Sequence, residues 1–188
     1  MPPLLWALER MEALETANLV LEPLTVAHAE AMFPILSDPI LYRHLDYGPP
    51  PSVSHVRGVY EQLQKRASPD GQETWLNWVI CLRGTLPIGY VQATLVSKHS
   101  AWIAYFLGSA YWGRGYAYAA TETMLKHLAE RFGSELFLAT VEIANIRSIA
   151  LLKRLSFEQV SGPDAAPYEL SSTELLFKRH TAHGEKSL

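Results

Sequence analysis

Two glycines flank an arginine at Gly113-Arg114-Gly115, between an apolar run that ends at Phe106-Leu107-Gly108 and a long helical pattern that opens at Tyr116-Ala117. The chemistry such a junction can do is anion binding. Glycines let the backbone adopt conformations closed to other residues and come close to a ligand. The first amides of a helix have no intrahelical partners, and the helix dipole adds partial positive charge there. Together these features suit a phosphate or pyrophosphate, and Arg114 could add a full charge. Two nucleotide-binding patterns fail here. Gly108 and Gly113 have the spacing of a P-loop, but Arg114 and Gly115 stand where its lysine and hydroxyl residue belong, which removes the magnesium ligand. Gly113 and Gly115 also fit the start of G-x-G-x-x-G, but Tyr118 takes the third glycine's place and several elements precede the motif.

The other reactive side chains are sparse. Cys81, the single cysteine, sits between Ile80 and Leu82 and reads as a buried apolar residue; alone it can form neither an internal disulfide nor a multi-cysteine zinc site. The seven histidines form no metal cluster, and His180 and His183 fall in a polar tail. Asn145 opens a helical pattern, where asparagine is a favoured cap, and Ser148 lies one turn later on the same face. Glu142 follows an apolar strand; His44, Asp46 and Glu73 are further candidates for proton transfer.

The elements that must position these residues follow from periodicity. Leu4–Glu15 reads as a short helix and Asn18–Leu24 as a strand. Thr25 caps a helix over His28–Leu36, and Ser52 or Ser54 caps another to about Arg66. Trp75–Leu82 and Ile88–Val96 flank a Gly84 turn, and Trp102–Leu107 is a third strand. Trp75, Trp78 and Trp102 read as sheet core. The helix Gly115–Phe132 carries Ala117, Ala120, Met124, Leu125, Leu128 and Phe132 on one face. Leu136–Val141 is a strand and Asn145–Leu155 a helix; Phe157–Val160 and Thr173–Lys178 close the sheet, and residues 179–188 form a frayed tail. The fold class is therefore α/β (α+β), one domain over 1–188 with its core at about 17–178 and a largely antiparallel sheet flanked by helices.

With these elements in place, YWGRGYAYAATETMLKHL followed by VEIANIRSIALLKRLSF resembles the GNAT superfamily of N-acetyltransferases, above all the branch of ribosomal-protein N-terminal acetyltransferases. That family holds the pyrophosphate of acetyl-CoA in a loop of the form [QR]-x-x-G-x-[GA]. The resemblance sets Trp112 at the first position, Gly115 at the glycine and Ala117 at the last, with Gly113, Arg114 and Tyr116 between. Trp112 departs from the strict pattern, but the loop binds mainly through backbone amides. The second motif, N-x-x-[AS]-x-x-L-[YL]-x-[KR]-L-[GS]-F, is met by Asn145, Ser148, Leu151, Lys153, Arg154, Leu155 and Phe157, with Ser156 in place of the usual glycine. The resemblance implies that Asn145 contacts the pantetheine arm and that the strand ending at Phe106-Leu107 pairs with it through main-chain groups. Many members protonate the leaving thiolate with a tyrosine; Leu152 stands there, so Ser148 is the implied replacement, with Glu142 a candidate base.

The implied activity is transfer of an acetyl group from acetyl-CoA to a primary amine, by direct attack on the thioester and without a metal. The acceptor is a small molecule or a protein N-terminus, and a homodimer is compatible with the sequence. The alternative is a non-catalytic acyl-CoA-binding sensor, for which the missing tyrosine argues. Composition narrows the partners. The 188 residues are 48% hydrophobic and 19% charged with a net charge of −3, so no basic field for nucleic acid exists. The longest stretches without Asp, Glu, Lys or Arg, His99–Gly113 and Gly84–Ser97, fall short of the ~20 apolar residues a spanning helix needs. Met1–Leu8 lacks the preceding basic residues of a signal peptide, so a cytoplasmic protein is the expectation.

Overall fold

The computed structural model describes residues 11–83, 86–97 and 99–181. Its strands are β1 (Leu14–Glu15), β2 (Leu19–Pro23), β3 (Thr74–Leu82), β4 (Pro87–Leu95), β5 (Ser100–Leu107), β6 (Leu136–Glu142), β7 (Glu158–Val160) and β8 (Glu174–His180). The helices are α1 (Ala29–Leu36), α2 (Val53–Leu63), α3 (Tyr116–His127) and α4 (Ile146–Arg154). One mixed sheet runs in the order β1-β2-β3-β4-β5-β6-β8-β7, antiparallel throughout except for β5 beside β6.

Period-two alternation sends the strand side chains to two different cores. Leu19, Leu21, Trp78, Val91, Ile103 and Phe137 face α3 and α4, where Met124, Leu125, Leu152 and Leu155 meet them. Val79 and Cys81 point the other way, onto Met32 of α1 and Val56 and Tyr60 of α2. Cys81 is thus a packed apolar residue, its thiol pushed up to about 11 by burial. Trp78 is fully buried, with its indole N–H on the Glu12 carbonyl at 2.9 Å.

Two local expectations are corrected. Residues 4–10 of the expected helix lie outside the described residues, and its end is strand: Leu14 and Glu15 pair with Leu21 and Val20. The cause is a turn closed by Thr16, whose N–H reaches the Leu19 carbonyl and whose Oγ1 accepts the Leu19 N–H, both at 2.9 Å. The expected frayed tail begins too early. Arg179 and His180 pair with Phe137 and Leu136 in β8. Arg179 also binds Glu122 of α3 at 2.6 Å and the Leu155 carbonyl after α4 at 2.9 Å, which joins three elements through one guanidinium.

The end of α4 explains why a glycine suits the position of Ser156. Phe157 N–H bonds the Leu152 carbonyl and Ser156 N–H the Lys153 carbonyl, each at 3.0 Å, the paired bonds of a Schellman cap. That cap requires the left-handed backbone, and Ser156 adopts it at φ +61°. A residue with a Cβ pays strain there that glycine does not. Ser156→Gly is therefore expected to stabilise the fold by about 0.5–1 kcal/mol and to raise the melting temperature by about 1–4 °C in thermal denaturation.

Candidate active site

The parallel pairing of β5 with β6 stops after three residue pairs, Ser100↔Leu136, Ala101↔Phe137 and Trp102↔Leu138. Beyond Trp102 the strands part, while β5 stays paired to β4 as far as Leu107 and β6 to β8 as far as Glu142. The gap between Ile103–Leu107 and Ala139–Glu142 opens a cleft of about 710 Å³. Its backbone edge is one-sided. Gly108 N–H bonds the Ile88 carbonyl at 2.8 Å, so strand alternation turns the Phe106 N–H toward β4 as well. The amides of Ile103, Tyr105 and Leu107 face the gap. The Phe106 side chain is spent elsewhere, stacked on Tyr90 at 5.3 Å between ring centres and tilted against Tyr42 at 5.4 Å.

The glycine loop lies at the open end of β5. Gly113 and Gly115 take φ +73° and +79°, and a Cβ at either would meet nothing within 4 Å. The backbone conformation, and not a steric contact, calls for glycine there. Gly115 is the N-cap of α3, and no side chain caps that helix start, where the Tyr116 and Ala117 amides begin the first turn. The local cations are Arg114, which is exposed, and Arg147. The Arg147 guanidinium lies over the Trp112 ring at 4.6 Å, and the Trp112 indole donates to the Leu107 carbonyl at 2.7 Å. Trp112 is thus a strut that ties loop, strand end and α4 together.

Asn145 and Ser148 line the cleft from the start of α4. Asn145 Oδ1 accepts the Ser148 N–H at 3.2 Å, so it is the cap of this helix. Ser148 Oγ lies 2.7 Å from the Tyr105 phenol oxygen, which is also within 3.2 Å of the Ser148 carbonyl. Burial pushes the Tyr105 phenol up to about 12, so it stays protonated at neutral pH. Leu152, one turn beyond Ser148, is buried and brings no donor to the cleft it lines.

Glu142 opens onto the cleft from the other face of the sheet. It stands directly opposite Glu174, which also lines the cleft, and Thr173 Oγ1 donates to it at 3.1 Å. Arg43, His44 and Asp46 cover the same side from the loop after α1. That loop is moored to the glycine junction, because Asp38 accepts the hydroxyl hydrogen bond of Ser109. Glu73 is not among the cleft residues and instead accepts from the Trp75 indole at 2.9 Å. Trp102 leaves the main core and meets Tyr168 edge-on beside a second cavity of about 450 Å³. Thr140 and Glu174 line both cavities, which are therefore neighbours. Among the described residues no group of three or more His, Cys, Asp or Glu could hold a metal ion, and no helix is long and apolar enough to cross a membrane.

The structure therefore brings Asn145, Ser148, Glu142, His44 and Asp46 to one cleft, while Phe106, Leu107 and the 112–117 loop that follows β5 are not among the residues lining it. Sequence reasoning missed Tyr105, Arg147 and Glu174. Tyr105 shares the strand face of Ile103 and Leu107, a period-two signal that marks it as inward-facing but says nothing of what it meets.

Residues 18–158 match the acetyltransferase (GNAT) domain, so the chain belongs to that family and is an acetyltransferase. A protein of Bacillus licheniformis named uncharacterized N-acetyltransferase p20 is 27% identical over 151 residues, 79% of this chain and 84% of that one. In fold the chain is similar to a GNAT-family acetyltransferase from Bacillus anthracis, at TM-score 0.72 and 15% identity over 89% of this chain and 98% of that one. It is likewise similar to RimL, a ribosomal L7/L12 alpha-N-protein acetyltransferase solved with coenzyme A, at TM-score 0.72 and 19% identity over 90% and 98%.

Gly115→Val tests whether the loop serves a ligand or only the turn. Acetyl-CoA affinity, read by calorimetry, is expected to fall about tenfold or more, with the circular dichroism spectrum near that of the parent protein. Unchanged affinity would leave the turn as the glycine's only purpose.

Proposed function

We propose that this acetyltransferase uses acetyl-CoA to acetylate a primary amine by direct attack on the thioester, with the pantetheine arm lying in the gap between β5 and β6. The gap carries the reading: two strand edges face each other too far apart to pair, and an extended amide-bearing arm is the shape and chemistry that would pair with them. The Tyr105 and Leu107 amides are the strand donors in this reading, and the pyrophosphate rests on the Gly113–Ala117 backbone beside Arg114 and Arg147.

The reaction needs three things from the chain. A donor must meet the carbonyl oxygen as it gains charge; an edge amide of β5, at Leu107, supplies it. A group must help the sulfur leave, and Ser148 lies in the cleft with its hydroxyl. The attacking amine must be neutral, and the acceptor side of the gap offers Glu142, with His44 and Asp46 nearby, to take the proton of an ammonium directly or through water. The carboxylates there favour an acceptor that arrives as a cation. The bonds balance without a covalent enzyme intermediate: nitrogen bonds the acetyl carbon, the C–S bond breaks, its electron pair stays on sulfur, and the amine proton ends on the thiol.

Acetyl-CoA at a hundred times its dissociation constant is expected to stabilise the protein by about 2.7 kcal/mol, a rise of roughly 5–10 °C in melting temperature. NAD, which lacks the pantetheine arm, should shift it far less; equal shifts would refute the assignment. On a panel of amines, peptides and polyamines, Ser148→Ala should lower kcat about tenfold to a hundredfold with acetyl-CoA affinity nearly unchanged. Asn145→Ala should do the reverse, weakening the cofactor complex and costing about 1 kcal/mol of stability through the lost cap. Acetyl-CoA binding with no turnover on any amine would instead favour a sensor.

A further inference from the structure

Ser148 has one hydroxyl proton, and where it points decides whether the serine can assist a leaving group. The nearest polar atom to its Oγ is the Tyr105 phenol at 2.7 Å, a side chain from the strand across the cleft. Two arrangements are open to this pair. If the phenol gives its proton to the Ser148 carbonyl, the serine donates to the phenol oxygen and neither hydroxyl faces the cleft. If the phenol donates to Ser148 Oγ, the serine proton is free for a third atom. The oxygen–oxygen contact is the shorter of the phenol's two contacts, 2.7 against 3.2 Å, and both residues line the cleft. Leu152, one turn on, offers no competing donor or acceptor.

We propose that Tyr105 is a positioning residue whose phenol donates to Ser148 Oγ, so that the serine hydroxyl is aimed at the sulfur of bound CoA. This rests on the acetyl-CoA reading above. The pair acts by hydrogen bonding and not by giving up a proton. A phenol held near 12 is a weaker acid than a thiol, whose ordinary value is about 8.5, so proton transfer to the thiolate would run uphill by roughly three pK units. The electron pair of the broken C–S bond is met by the serine O–H, polarised by the phenol behind it, and the proton that completes the thiol is the one lost by the amine.

The test needs no acceptor. CoA and desulfo-CoA are titrated into the protein by calorimetry at pH 7 and pH 9.5, and the ratio of their affinities isolates the sulfur. A donor aimed at sulfur prefers thiolate, so in the parent protein the ratio should rise about tenfold between the two pH values. In Tyr105→Phe and in Ser148→Ala the rise should be about twofold or less, with desulfo-CoA affinity unchanged. The double variant should match Ser148→Ala alone, because Tyr105 acts through the serine. Ser148→Thr, which keeps the hydroxyl, should keep most of the rise. A packing role for Tyr105 would alter both ligands equally at both pH values. Tyr105→Phe with the full rise, or a parent protein with none, overturns the inference while acetyl-CoA binding stands. A parent protein that binds neither ligand overturns the acetyl-CoA reading itself, and this inference with it.

Discussion

Everything in the site depends on a hydrogen-bond ladder that is left unfinished. Strand edges buried inside a sheet are normally paired, because an orphaned amide or carbonyl costs as much as the bond it lacks. Here β5 and β6 share three residue pairs and then part, each held fast on its outer edge by β4 and β8. The divergence cannot close without breaking a completed ladder on one side. The cleft is thus a rigid property of the sheet, and the side chains around it need only the short reach that a fixed wall allows.

That rigidity sorts the chemistry by face. Residues of odd number on β5 and β6 look toward α3 and α4, which brings Tyr105 to Ser148 and leaves the glycine loop on the same side. Thr140 and Glu142 look the other way, toward the loop of Arg43–Asp46 and the Trp102–Tyr168 pair. The Tyr105–Ser148 pair and the Glu142–Glu174 pair therefore reach the gap from opposite faces of the sheet. The like-charged pair Glu142 and Glu174, directly opposite on adjacent strands, is unfavourable for the sheet alone, since such pairs repel.

Much of this was legible in the sequence, for identifiable reasons. Several local signals held: Ser52 caps α2, the apolar face of Met124, Leu125 and Leu128 is buried, and the order of elements from β2 to β8 is as read. Gly113 and Gly115 do adopt the positive φ their spacing suggested, and Asn145 does cap its helix. What escaped was tertiary. The bond of Tyr105 to Ser148 spans 43 residues and the ion pair of Arg179 to Glu122 spans 57, and no periodicity carries either. Leu14–Glu15 failed for the opposite reason: an apolar stretch with helical spacing was overridden by a Thr16 turn and a neighbouring strand.

The order of strands also has a consequence for how the chain assembles. From β3 to β5 each strand pairs with the one just before it in the chain, and only the β2–β3 pairing on this side spans the two intervening helices. The far half is interleaved. β8 lies between β6 and β7, and among the described residues β7 has no other strand partner, so neither β7 nor the outer edge of β6 is satisfied until residues 174–180 have been placed. One wall of the cleft therefore rests on the short-range β3-β4-β5 meander, and the other waits on β8, whose Arg179 then locks α3 and the end of α4 in a single move. Vectorial synthesis delivers the glycine loop well before the strand that completes the far wall of the cleft.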